Sequence, residues 1–539
     1  MRKIVFLLMA SLLIAFTACN KEKINTVNPE DVTVNLNKAE LQKRIEILNY
    51  PVAINHLKDG LPTPIPELWA IARILPDVRS YSVFHWEGTD ANMNYWQRTT
   101  ATNDAPTVTV PATPDHPSVD LTLTYVSEEL FEETLSITGA GLLPGGPTPD
   151  FAYFTSHIRG DVFGGEVFAV KYNDNNSIDN SSALIAEVSI FDNTADYNDL
   201  TIDRTADPFT LWIAGDNNAR GAIVRNIKLW GPDGLNAFLS WPIDSPLDTA
   251  DIQQAIAKTL KEYHMPLLGP SGNSVTIPQF DHPNTSTDET QQLWVVAGGT
   301  SYGGLVVMDK NDATRLYTRT DVHNAKHFDM GNKSNGSGLY GAFLWGDGNF
   351  NNNKSNLRVF NTSIGPYAYT DYLASGPFGL NQLPAPSDYG DVTFEGKNAI
   401  DVDGTNGNQF IYMAMGADGI KKVNPTNGLV VDSYNLTGGQ YPSTFGGNGL
   451  ANGLVVHENH VYVAWGASGL LIFDKFNLAA GPVGQYNGIG SCNYVAVDTA
   501  PPTVTYKSGE SVAPKDDILW AGFGTGGMVM LKFVNNVGN

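Results

Sequence analysis

Disulfide chemistry is all but missing from this sequence: 539 residues contain two cysteines, Cys19 and Cys492. A cross-linked secreted scaffold is therefore excluded, and the fold must be held by its core. Charge is sparse too, at 17% of residues. It leans one way, 56 Asp and Glu against 33 Lys and Arg, for a formal charge of −23. That field repels phosphate backbones and argues against nucleic acid as a partner. Long apolar runs are absent, and none reaches the ~20 residues a helix needs to cross a bilayer. With 42% hydrophobic and 10% aromatic residues, a disordered chain, a collagen-like repeat and a long coiled coil are excluded as well. Glycine is plentiful, 53 residues, and stands with Asn between short apolar stretches. That is the pattern of strands and turns.

The N-terminus carries an address. Arg2 and Lys3 precede an apolar run from Ile4 to Phe16, followed by Thr17, Ala18 and Cys19. A basic start, a short apolar core and small residues before the cut describe a secretory signal over residues 1–18. Phe16-Thr17-Ala18-Cys19 resembles the lipobox of bacterial lipoproteins, with Phe at the first position. The resemblance implies cleavage before Cys19, acylation of that residue, and attachment to a membrane through several acyl chains. Cys492 is then left without a partner. A polar tether with a short helix is expected over residues 19–50, and a lead-in or cap over 51–117.

The rest of the chain repeats itself. Four hairpins share one design: Leu293–Gly299 to Gly304–Asp309, Phe410–Gly416 to Gly419–Asn424, Val461–Gly466 to Gly469–Asp474, and Ile518–Gly522 to Gly527–Lys532. Each is an apolar strand, a glycine turn and a second strand opening on Gly and an aliphatic or Met residue. Ahead of the hairpins runs a second recurrence of Asn, four mostly apolar residues, then Asp or His. It occurs at Asn198–Asp203, Asn324–Asp329, Asn398–Asp403, Asn452–His457 and Asn493–Asp498. The clearest unit gives four strands: Asn398–Asp403, Gln409–Met415, Gly419–Asn424 and Leu429–Leu436. Repeated four-stranded antiparallel units build a β-propeller. Units starting near 131, 198, 273, 324, 398, 452 and 493 predict about seven blades over residues 118–539. The helical period of Asp251–Tyr263 predicts a small inserted helix. The last unit is one strand short, and Val119–Val126 is the expected N-terminal strand that closes the ring.

These units resemble LVIVD repeats, found in propeller-forming exported bacterial proteins, most closely at Gly304–Asp309 and Gly469–Asp474. Lys421-Lys422 and Leu531-Lys532 depart from the pattern. The resemblance implies an exported, all-β propeller and brings no catalytic motif with it.

Candidate sites follow from the repeats. Asn198, Asn324, Asn398, Asn452 and Asn493 begin innermost strands and so ring one mouth of the channel. Asn there either opens the strand through a turn or contacts a ligand at the mouth. His323 and His327 have the spacing of a zinc-binding helix, but on a strand they stand about 13 Å apart, so no metal site is expected. His457 and His460 flank a turn and are expected to be solvated. The Asp347–Asn353 and Asn173–Asp179 loops are oxygen-rich, but Asn352 and Arg358 exclude an EF-hand, and polar turns are expected there, with a calcium loop of another kind as the alternative. Gly522–Gly527 satisfies a dinucleotide glycine pattern but runs into a strand, where no helix N-terminus awaits a pyrophosphate. Trp212, Trp294, Trp345, Trp465 and Trp520 are expected between blades. Trp86, Tyr95 and Trp96 are expected to pack a cap.

The function expected is a lipid-anchored propeller of the cell envelope, at the outer membrane, acting as a non-catalytic binding or scaffold module. Its partner is a protein or glycan met on the loop face. The alternative is an extracellular glycan-processing hydrolase or lyase using carboxylates near the channel, with Asp203, Asp329, Asp401 and Asp403 available.

Overall fold

The computed structural model describes the strands and tight turns between Ile45 and Val534. Residues 1–44 and 535–539 and most long connections, the longest being 84–106, 229–260 and 362–397, lie outside the described residues. The signal, Cys19, the three cap aromatics and both oxygen-rich loops fall there, as does most of Asp251–Tyr263.

Strand follows strand, and each sheet is built outward from its first strand. Sheet A comprises Ala195–Asp203, Thr210–Asn217, Gly221–Lys228 and Lys261–His264; sheet B comprises Gly272–Thr276, Gln292–Gly298, Gly303–Asp309 and Arg315–Arg319. Sheet C has Ser355–Asn361 outside Leu339–Gly346 and His323–Met330. Sheet D comprises Ala399–Asp403, Phe410–Ala414, Ile420–Val423 and Val430–Tyr434; sheet E comprises Gly453–His457, His460–Ala464, Leu470–Asp474 and Gly484–Tyr486. Sheet F runs Tyr494–Asp498, Ile518–Gly522, Met528–Val534, then Glu67–Ile74 and Ile45–Pro51. Sheet G, of seven strands, starts at Leu135–Leu143 and continues through Asp150–Ile158, Gly165–Tyr172 and Ile185–Asp192 to Tyr81–Val83, Val119–Tyr125 and Thr107–Val110. The short hairpin Val504–Thr505 with Ser511–Val512 stands apart. The first strand of each sheet packs against the first strand of the next, from A through G and back to A. The fold is an all-β propeller. Five sheets, A, B, D, E and F, have the complete blade pattern.

The sequence explains these layers. Second strands are buried over most of their length, and all five residues of His460–Ala464 and of Ile518–Gly522 are covered. Ile411 and Met413 face a core shared with sheet C, while Tyr412 and Ala414 face one shared with sheet E. A strand with both faces covered is apolar at nearly every position, which is why these runs lack alternation. The outermost strand Val430–Tyr434 does alternate, with Val431 and Ser433 exposed.

The closure expected of the N-terminus occurs, but with other residues. Glu67–Ile74 pairs antiparallel with Met528–Val534, and Ile45–Pro51 pairs with it in turn. Val119–Tyr125 instead lies in sheet G between Tyr81–Val83 and Thr107–Val110. The reason lies in the neighbour: Met528–Val534 is buried from Met528 to Leu531 and again at Phe533, and needs an apolar cover. Leu68, Ala70 and Ala72 supply it and are buried, whereas Val-Asp-Leu-Thr-Leu-Thr-Tyr brings a polar residue at every second position. Ile45–Pro51 is thus a strand of sheet F, and the expected lead-in contributes Glu67–Ile74 to sheet F and Tyr81–Val83 and Thr107–Val110 to sheet G. Lys261–His264 is a strand beside Gly221–Lys228, so the C-terminal end of the predicted helix is extended.

Candidate functional site

The glycine turns come first, because they set the joints. In sheets D and E the turn between second and third strands has Gly416 and Gly419, or Gly466 and Gly469, all at positive φ. Each turn is closed by three backbone bonds, the shortest being Met415 N to Gly419 O or Trp465 N to Gly469 O, both 2.8 Å. The first glycine then exchanges a pair of backbone bonds with the next sheet. Gly416 does so with Ala451 (2.9 and 3.0 Å) and Gly466 with Cys492 (2.8 and 2.8 Å). Ala451 and Cys492 are the residues just before Asn452 and Asn493. The two recurrences in the sequence are thus two sides of one joint.

The asparagines sit inside these joints. Asn398, Asn452 and Asn493 are all buried. Asn452 Nδ2 donates to Asn493 Oδ1 at 3.1 Å, linking sheets E and F, and Ser491 Oγ donates to the same oxygen at 3.0 Å. Asn198 Nδ2 donates to Gly272 O in sheet B at 3.1 Å and to Asp216 Oδ1 at 3.0 Å. Asn398 Nδ2 lies 4.0 Å from Met415 Sδ. Asn324 is in the first strand of sheet C; its side chain is outside the described residues. Asn273, which lies outside the recurring Asn motif, donates to Ala325 O in sheet C.

The acids of the same strands behave alike. Asp199 Oδ2 accepts from Val275 N (3.1 Å), Asp329 Oδ2 from Val402 N (2.7 Å) and Asp401 Oδ2 from Val456 N (2.6 Å). In each case the donor belongs to the next sheet. Asp203 and Asp403, the last residues of their first strands, each meet a lysine of the following sheet. Lys310 Nζ lies 2.9 Å from Asp203 and Lys475 Nζ 3.1 Å from Asp403, and both pairs are buried. The signal for these lysines was present: each directly follows the Asp ending a third strand, in Asp309-Lys310 and Asp474-Lys475. At the corresponding place between sheets E and F, His457 packs on Phe533 with ring centroids 4.9 Å apart and planes tilted by 41°.

Asp401 is the most perturbed acid. Burial pushes its carboxyl well above the usual carboxylate range and the charge on Asp329 adds to the push, while the Val456 N–H and Lys475 oppose it. Asp401 and Asp329 thus feel each other across the joint of sheets C and D. Tyr412 is likewise pushed up, first by burial and then by Asp403 and Asp401.

Other expectations resolve at once. His323 and His327 lie on a strand, as their place in the repeat predicts. His457 and His460 are buried rather than solvated, and Phe533, in the third strand of sheet F, lies against His457. Trp212, Trp294, Trp465 and Trp520 are buried. The glycine-rich Gly522–Gly527 joins two antiparallel strands. Lys422, a departure from the repeat pattern, is buried with Nζ 4.2 Å from the Phe410 ring centroid and donates to Lys475 O at 2.9 Å. Exposed large apolar side chains among the described residues are Leu429, Val431 and Phe476.

No family model matches the chain. No curated protein matches either. Solved structures resembling it include Raptor of Chaetomium thermophilum, at 10% identity, 76% of this chain, 30% of that chain and a TM-score of 0.38. The WD40 β-propeller domain of Doa1 matches at 9% identity over 74% of this chain and 93% of that chain, with a TM-score of 0.39. The WD40 domain of Neurospora crassa Pan2 matches at 10% identity over 75% of this chain and 97% of that chain, with a TM-score of 0.35. Likeness at this level adds nothing to the reading of the site. No helix among the described residues is long and apolar enough to cross a membrane.

Proposed function

We propose that this chain is a lipid-anchored, seven-bladed propeller of the cell envelope, at the outer membrane, serving as a non-catalytic binding or scaffold module for a protein or glycan. The unbroken succession of first strands from sheet A to sheet G and back supports seven blades. The lipobox-like Phe16–Cys19 supports the anchor. The observation that carries the non-catalytic reading is the use made of the channel-side acids. Asp199, Asp329 and Asp401 hold backbone N–H groups of the neighbouring sheet, and Asp203 and Asp403 are bound to lysines. An acid fixed in this way keeps the ring rigid, and rigid blades leave recognition to the loops. On this reading the Asn rim works chiefly as part of the joints, and a ligand at the mouth meets groups already held in place.

The rival reading has one observation in its favour, the raised Asp401 carboxyl beside Asp329, since a glycosidase needs one protonated acid near one ionised acid. Capture of partners from envelope extract by the acyl-free body, run beside a glycan turnover screen, separates the two. A stoichiometric partner or glycan bound without turnover is expected. Turnover that disappears in Asp401→Asn would overturn the proposal.

A further inference from the structure

Two polar groups at the joint between sheets B and C take no part in the network of ties. Asn273 bonds to Ala325 O, and Thr276 Oγ1 donates to Phe328 O at 3.2 Å. The two bonds hold residues 273–276 level with residues 325–328, so Ser274 stands level with Lys326. Ser274 is buried, and its Oγ has no hydrogen-bond partner. Lys326 is the extra residue of a β-bulge: Ala325 pairs with Trp345 and His327 with Leu344, leaving Lys326 without a partner across the ladder. Bulges re-aim side chains. Its side chain is enclosed by protein while the residue keeps part of its surface open to solvent. Among the described residues no acceptor or carboxylate reaches its ammonium. Two residues on, Phe328 stacks on Trp294 of sheet B at 4.7 Å, giving this side of the joint an apolar wall.

A buried cation without a counter-ion is costly, and so is a buried hydroxyl without a partner. An oxyanion between them relieves both, accepting from the ammonium and from the hydroxyl in charge-assisted bonds. We propose that Ser274 and Lys326 form a binding site for a carboxylate or phosphate group at the joint of sheets B and C.

The charged surroundings fit a single anion. The strands Gly272–Thr276 and Gln292–Gly298 bring no titratable residue to the first strand of sheet C. Gly303–Asp309 brings Asp309, Leu339–Gly346 brings Tyr340, and Ala399–Asp403 brings Asp401 and Asp403. The strand itself holds His323, His327 and Asp329. Burial alone lowers the Lys326 amine to about 8. An anion that needs the protonated amine therefore loses affinity about tenfold per pH unit above about 8.

The test is thermal unfolding of the full chain in inorganic phosphate or acetate against chloride at equal ionic strength, from pH 7 to 9.5. The expected result is a midpoint raised by phosphate, by acetate or by both at pH 7. The two arms tell which group fits better. The rise should fade above pH 8, be absent in Lys326→Met and be reduced in Ser274→Ala. A second readout uses the native chain alone: reductive methylation of Lys326, mapped by peptide mass, should be slowed by the same anion. No anion-specific rise, an equal rise in Lys326→Met, or unprotected methylation each overturns the site.

Discussion

Burial and the charge on Asp329 both oppose ionisation of Asp401, and that fixes the sign of its contribution. A carboxyl with a higher pKa folded than unfolded contributes stability that is full below the unfolded value, near 3.9, and lost as pH rises through the folded one. Asp401→Asn keeps an acceptor for Val456 N and removes the charge. It should raise the denaturant midpoint at pH 7, with the gain shrinking towards zero near pH 4. His460 works in the opposite direction. Burial lowers its pKa from 6.5, so its neutral form is favoured in the fold, and stability is lost as pH falls below that value. His460→Gln should flatten the decline between pH 7 and pH 5 in the same titration.

Among elements, the hairpins and joints carry the most exacting geometry. A Cβ at Gly469, where φ is +82°, would meet Tyr486 O at 2.4 Å. Gly469→Ala should therefore cost about 1–3 kcal/mol in equilibrium unfolding. At the joint of sheets D and E, Lys475→Met leaves Asp403 buried and without its lysine, a loss of about 3–5 kcal/mol. Sheets E and F solve the same joint with His457 on Phe533. The transplant Asp403→His with Lys475→Phe should accordingly recover most of that loss, as a double-mutant cycle would show.

Much of this was legible in advance because the repeats impose it. First strands were expected near 131, 198, 273, 324, 398, 452 and 493, and those observed start at Leu135, Ala195, Gly272, His323, Ala399, Gly453 and Tyr494. Glycines at the turns and apolar second strands announced the hairpins because both report purely local demands. The use of the acids was hidden, since Asp403 and Lys475 lie 72 residues apart and nothing local distinguishes a tied carboxylate from a channel acid. Ser274 and Lys326 were hidden for another reason: a bulge and a level placement between parallel strands leave no periodic trace.

At the scale of the molecule, the ring explains why so much polar chemistry is buried in a chain that has no disulfide between its two cysteines if Cys19 is acylated. Blades meet through apolar faces, but near the channel the first strands converge, and side-chain bonds fix their offset. The free thiol Cys492 is buried in one of these joints, and burial pushes its pKa up. It should react with a maleimide only after unfolding, which makes it a native reporter of the opening of sheets E and F.

Closure of the ring by Glu67–Ile74 is the feature on which the joints, the channel and both proposed binding modes depend. Trp69 and Lys532 are direct partners across that closing pair. A chain with Trp69→Cys and Lys532→Cys, and with Cys19→Ser, can be oxidised and cut in its connecting loops. The N-terminal and C-terminal fragments should then remain joined until reductant is added. Fragments that separate under denaturing conditions without reductant, or a disulfide formed instead to Cys492, would contradict the closed propeller described here.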